Sequence, residues 1–160
     1  MSDEKTFSES EAHLHFAKRY NGMTWELLNK PERTAEENER MLDYAHASLA
    51  QWRVAGTGVN HQRGEWLIGR AWILLGDGEQ ALRHARRTAE LTEIHRAEME
   101  DFDLAFTHEE MARALAMCGY EEEARRYIAL AQEAGEKIVD AEDRQIFFDD
   151  FNGGNWSGLK

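Results

Sequence analysis

The stretch "RAWILLGDGEQALR", Arg70 to Arg83, decides how the rest of the chain is read. A run as apolar as Trp72-Ile73-Leu74-Leu75 stops at Gly76, Asp77 and Gly78, and a new periodic stretch begins at Ala81-Leu82. A glycine just past a helix end supplies the left-handed C-cap conformation that side chains resist. The stretch therefore reads as the turn of a helical hairpin.

Sliding the chain against itself finds the same plan 43 positions later, where Gly119 falls on Gly76 and Ala124 on Ala81. In that register Arg70 falls on Arg113, Ala71 on Ala114, Glu79 on Glu122 and Arg83 on Arg126, while Gly69 falls on the equally small Ala112. Small residues at matching sites let two helices approach closely. A third, degenerate copy lies upstream, where "WELLN" (Trp25 to Asn29) aligns with "WILLG" (Trp72 to Gly76). Its turn is longer and holds the sole proline, Pro31, after which Thr34 and Glu37 have the spacing of a capping box. Tyr44, His84 and Tyr127 share one register in the second helices, which marks His84 as an aromatic packing residue.

Six helices in three antiparallel pairs are expected: about 8–30 with 35–54, 60–75 with 78–98, and 103–118 with 121–138. Asp101 or Asp103 is the expected N-cap of the fifth helix. A seventh segment from Asp140 to Phe151 carries Ile146, Phe147 and Phe151, as befits a helix that closes the open end of a stack. The expected organisation is one all-α domain over 8–151, with mobile tails at 1–7 and 152–160, the second holding Trp156 as a side chain able to dock.

A small residue, an apolar helix end, Gly and then Ala-Leu-x-x-Ala together resemble the tetratricopeptide repeat. The resemblance covers about residues 60–138 well and 14–54 weakly, and it implies a right-handed superhelix of stacked hairpins lined by the first helix of each pair. The period of 43 exceeds the family's roughly 34, no proline ends the second helices, and the first turn is lengthened. Over its whole length the chain also resembles a group of small uncharacterised bacterial proteins that share "RT…E…M…AHAS…W".

Composition agrees with helices: 42% of the 160 residues are hydrophobic and 31% charged, and Val-Ile-Thr clusters are few. With 19 Lys and Arg against 31 Asp and Glu, the net charge of -12 repels nucleic-acid phosphate and anionic membrane. Arg83, Arg86 and Arg87 form the one arginine cluster and read as a solvated helix face. "MSDEKTFSES" has neither a basic n-region nor an apolar h-region, and no apolar run is long enough to span a bilayer, so a cytoplasmic location is expected. The only cysteine, Cys118, reads as a reduced, buried thiol.

Arg70 alone interrupts the apolar segment Trp66 to Leu75, and a buried guanidinium needs a partner. Glu109 is the expected one, with Glu65 and Asp103 as alternatives. The tetratricopeptide resemblance puts Arg63, Trp66 and Arg70 beside Phe106, Glu109 and Arg113 on the inner surface, joined by Arg19. Such a strip is suited to hold a carboxylate or phosphate through Arg70 and Arg113, or else to bridge the helices with salt bridges. Weak metal candidates are the pairs His61 with Glu65 and Asp43 with His46, but no Glu-x-x-His occurs and a full ligand set is missing. No phosphate-cradling glycine loop, His-Glu-x-x-His or nucleophile elbow is present, and no cofactor is implied. Trp25, Trp52, Trp66 and Trp72 read as core.

Two functions fit. The first is a non-enzymatic module that binds a peptide or protein in its concave strip or pairs with a second copy of itself. The second is a helical bundle that binds a small ligand or metal, an enzyme included, in a pocket around Arg70, His61, Glu65 and Glu109. An open trough with paired charges favours the first and an enclosed pocket with unpaired polar groups the second.

Overall fold

In the computed structural model, which describes residues 4–160, the chain forms seven α-helices: α1 (Glu9–Leu28), α2 (Ala35–Ala55), α3 (Gly58–Leu75), α4 (Gly78–Ile94), α5 (Asp101–Met117), α6 (Glu121–Glu136) and α7 (Ala141–Asn152). A single 3-10 turn, Arg96–Glu98, follows α4, and no strand occurs among the described residues. The first three residues of the expected N-terminal tail lie outside the described residues.

The turns explain the hairpins. Gly76 and Gly119 have φ of 82° and 81°, in the left-handed region. At the first, Asp77 N–H donates to Trp72 O (3.1 Å) and Gly76 N–H to Ile73 O (3.1 Å). At the second, Tyr120 N–H donates to Leu115 O (3.0 Å) and Gly119 N–H to Ala116 O (3.1 Å). These are the paired bonds of a Schellman motif, which satisfies the carbonyls a helix end leaves free. The degenerate first copy lacks the glycine, and there α1 ends on Asn29 with ordinary right-handed backbone.

Helix starts are equally local. Thr34 and Glu37 exchange the two bonds of a capping box, and Ser8 and Glu11 do the same for α1. The fifth helix departs from expectation by a residue: its N-cap is Glu100, whose N–H donates to Asp103 Oδ2 (3.0 Å), so neither Asp101 nor Asp103 occupies the cap.

Successive helices pack as adjacent pairs, and α3 lies against α2, α4 and α5. Alanines make the close contacts: Ala81 and Ala85 of α4, Ala114 of α5 and Ala124 of α6 are fully buried around Leu82, Met111 and Leu115. Ala105 and Ala112 of α5, with Ala131 of α6, meet Phe147 and Phe151 of α7. Burying each of those two phenylalanines contributes about 1.5–3 kcal/mol, so α7 is anchored to α5 and α6.

The C-terminal segment, expected to be mobile, instead folds back on α7. Trp156 is 5% exposed and its Nε1–H donates to Phe151 O (3.0 Å). Lys160 Nζ donates to the same carbonyl (2.8 Å) and lies 3.4 Å from the Phe151 ring centroid. Aromatic burial and cation–π attraction together hold the segment in place. Cys118 is half-buried rather than enclosed, and burial raises its thiol above the usual range, which disfavours the reactive thiolate. Among the described residues no helix is long and apolar enough to cross a membrane.

Candidate functional site

The odd-numbered helices line one trough of about 550 Å³. Asn21, Trp25 and Asn29 recur every fourth residue on α1 and share a face. Gln62, Arg63, Trp66 and Leu67 come from α3, Phe102, Asp103 and Phe106 from α5, and Asp143, Ile146 and Asp150 from α7. Aromatic rings run across its floor, Trp25 to Trp66 (6.0 Å between centroids) and Trp66 to Phe106 (5.5 Å), and Phe106 continues into the buried Phe147 behind it (5.1 Å). Trp25 and Ile146 remain 37% and 51% exposed, so apolar surface stays open to solvent at both walls.

Most charges around the trough are matched within the protein. Arg63 and the buried Asp103 form a two-bond fork between α3 and α5, both bonds 2.9 Å, and Arg63 also lies 5.1 Å from the Phe102 ring. Arg70 pairs with Glu109 (3.4 Å), as expected, and also with Asp150 of α7 (3.0 Å). Glu65 and Asp103, the alternative partners, are taken up elsewhere. Asp143 has no Lys, Arg or His nitrogen at ion-pair distance among the described residues.

The Arg113 guanidinium is occupied by acceptors of the protein itself. Its Nε donates to Glu109, its Nη2 to the carbonyls of Asp150 (2.7 Å) and Gly153 (3.0 Å), and its Nη1 to that of Asn155 (3.2 Å). A hollow of about 320 Å³ opens beside Arg70 and Arg113, but these internal acceptors already occupy the Arg113 guanidinium. Of the two readings of this pair, an anion grip or a bridge between helices, the bonds seen are those of a bridge that joins α3, α5 and α7.

Behind the trough a polar seam runs between α3, α4 and α5. Gln62 donates to Thr92 (3.0 Å) and Thr107 (3.1 Å). His84, read from its register as an aromatic packing residue, lies edge-on to the His46 ring (5.9 Å) and is also the 2.7 Å partner of the buried Glu65, which Arg53 reaches at 3.1 Å. Burial pushes the Glu65 carboxyl up, but the hydrogen bond and charge of His84, with the charges of Arg53 and Arg87, outweigh it and leave the group below its ordinary value. Glu110 is the opposite case. Neither carboxyl oxygen has a hydrogen-bond partner, and the neighbouring Thr88 hydroxyl is committed to His84 O (2.9 Å). Burial first, and the nearby Glu109 second, raise Glu110 well above the ordinary carboxylate range.

Of the strip read from the sequence, Arg63, Trp66 and Phe106 line the trough. Arg70, Glu109 and Arg113 sit beside it as an internal network, and Arg19 is exposed and absent from the lining. The metal candidates are not gathered either. His61 Nε2 lies 3.0 Å from Trp52 O, Glu65 belongs to His84, and Asp43 and His46 are exposed. No group of three or more His, Cys, Asp or Glu side chains is placed to hold a metal among the described residues. Trp25, Phe102, Asp143 and Ile146 join the site without having been singled out for it.

The chain matches no protein family, no curated protein and no solved structure. Its functional reading therefore rests on the trough.

Proposed function

We propose that the protein is a non-enzymatic interaction module, a tetratricopeptide-like stack that seats a short segment of a partner protein in the trough between α1, α3, α5 and α7. The observation that carries this reading is an open, aromatic-floored trough whose charges are mostly paired internally. Exposed aromatic and aliphatic side chains rimmed by polar ones are the usual composition of a binding surface. The competing ligand or metal pocket has less support. Arg70 and Glu109 neutralise each other, His61 lies against a backbone carbonyl, and Glu65 is buried against His84. A cytoplasmic setting fits the unpaired Cys118.

Peptides selected from a random displayed library on the wild-type protein test the reading. They are expected to bind Trp25→Ala and Ile146→Asp variants at least about tenfold more weakly, because an exposed anchor removed from a small interface dominates affinity. Both residues are partly exposed, so the variants are expected to keep their helical circular dichroism. Unchanged affinities in folded variants would place the binding surface elsewhere.

A further inference from the structure

We infer that the occupant of the trough is a basic segment, one that presents an Arg or Lys side chain next to a large apolar one. This rests on the trough being a protein-binding site and goes beyond it by naming the partner's chemistry.

Four charged side chains line the trough: Arg63, Asp103, Asp143 and Asp150. Arg63 and Asp103 form a closed two-bond fork, and Asp150 accepts from Arg70. What is left is a carboxylate, Asp143, set one turn of α7 before the exposed Ile146 and sharing the lining with Trp25. No cation of the lining is left over. An acidic segment would therefore bring negative charge against Asp143 and Asp150 with nothing to meet it, and a wholly apolar one would strip Asp143 of water without replacing its hydrogen bonds.

A lysine or arginine resolves both problems. Its alkyl stem covers apolar surface while its head remains polar. An indole face attracts that cation, and the Asp143 carboxylate of the same lining adds a charge-assisted hydrogen bond. The apolar neighbour in the segment then fills the space over Phe102, Phe106 and Ile146. The net charge of -12 draws a basic partner in at long range and adds to the encounter rate.

The test uses short capped peptides with aromatic and aliphatic flanks that differ only at a central Arg, Lys, norleucine or Glu. Binding is followed by the indole N–H resonances of Trp25 and Trp66 in the full-length protein. The Arg and Lys peptides are expected to bind about tenfold more tightly than the norleucine and Glu peptides. That advantage is expected to shrink below about threefold in Asp143→Asn and at high salt, and to persist in Glu142→Gln, whose charge lies outside the lining. Thermal unfolding of both variants checks that they are folded.

If norleucine or Glu peptides bind as tightly as Arg while moving the same two indoles, the basic occupant is wrong and the trough remains the site. If no peptide moves either indole, the trough reading fails and this inference fails with it. If the protein self-associates and Trp25→Ala abolishes that, a second copy fills the trough and the inference is overturned.

Discussion

The guanidinium of Arg113 lies 4.0 Å from the ring centroid of Trp156, so one side chain of α5 is stacked on the tail that follows α7. The same group donates to the carbonyls of Asp150, in the last turn of α7, and of Gly153 and Asn155 just beyond it. A cation at a helix C-terminus is also favoured by the helix dipole. Arg113→Ala is expected to cost about 3–5 kcal/mol, because it removes these bonds and strips the buried Glu109 of its nearest partner. Arg113→Lys recovers little of it, since an ammonium lacks the planar fork. Urea unfolding measures both, and a loss under about 1 kcal/mol for the alanine variant would contradict the assignment.

Arg70 and Arg87 provide a contrast on neighbouring helices. Arg70 is mostly covered and bridges Glu109 and Asp150, whereas Arg87 is an exposed partner of Glu90 one turn along α4. Arg70→Ala is expected to cost about 1–3 kcal/mol and Arg87→Ala less than about 0.5 kcal/mol. Equal melting temperatures for the two variants would show that the Arg70 pairs contribute nothing.

Gly69 is small for the sake of a carboxyl. A Cβ at this position would stand 2.0 Å from Glu110 Oε1 and 2.9 Å from its carboxyl carbon. Glu110 is 1% exposed, so its carboxyl cannot swing out into solvent without leaving its packed position. Gly69→Ala is therefore expected to cost about 1–3 kcal/mol by overpacking. In combination with Glu110→Ala the clash disappears, so the double variant is expected to be more stable than the sum of the two single losses by about 1 kcal/mol. Strict additivity in denaturant titrations would remove the proposed contact.

The protonation of Glu110 links stability to pH. Its folded form holds the proton to higher pH than the unfolded chain does, first because of burial and then because of Glu109. Between the ordinary carboxylate range and the raised folded value the native state binds more protons, so this contribution is complete at low pH and is lost as pH rises. Glu65 acts with the opposite sign, and its share cancels when wild type is compared with Glu110→Gln. The difference in unfolding free energy, wild type minus Glu110→Gln, is expected to decline as pH rises above the ordinary carboxylate range. A flat difference would show that Glu110 is not proton-linked.

The hairpins were legible because their signals are local. Gly76 and Gly119 mark their turns, and Thr34 with Glu37 marks a helix start, through groups a few residues apart. The site was legible only in part. Glu109 was found as the partner of Arg70 because a buried charge demands one, but Asp150 was not, since nothing in the residues of α7 says which way it leans against α3. The acceptors of Arg113 are backbone carbonyls, which leave no mark in a sequence at all. Trp25 was read as core because an aromatic residue on an amphipathic helix usually is. Its exposure follows from α1 being the end of the stack, where no further helix covers it.

The two ends of the stack are fastened unequally. Toward the C-terminus, Phe147, Phe151 and Trp156 lock α7 and the tail onto α5, whereas α1 buries only Ala17 and Thr24 and packs chiefly on α2. The amides of α1 are thus expected to exchange with solvent through partial unfolding at a lower free energy than those of α5. Because α1 carries Trp25, a segment seated in the trough is expected to order that helix and to slow its deuterium uptake without touching most of its backbone.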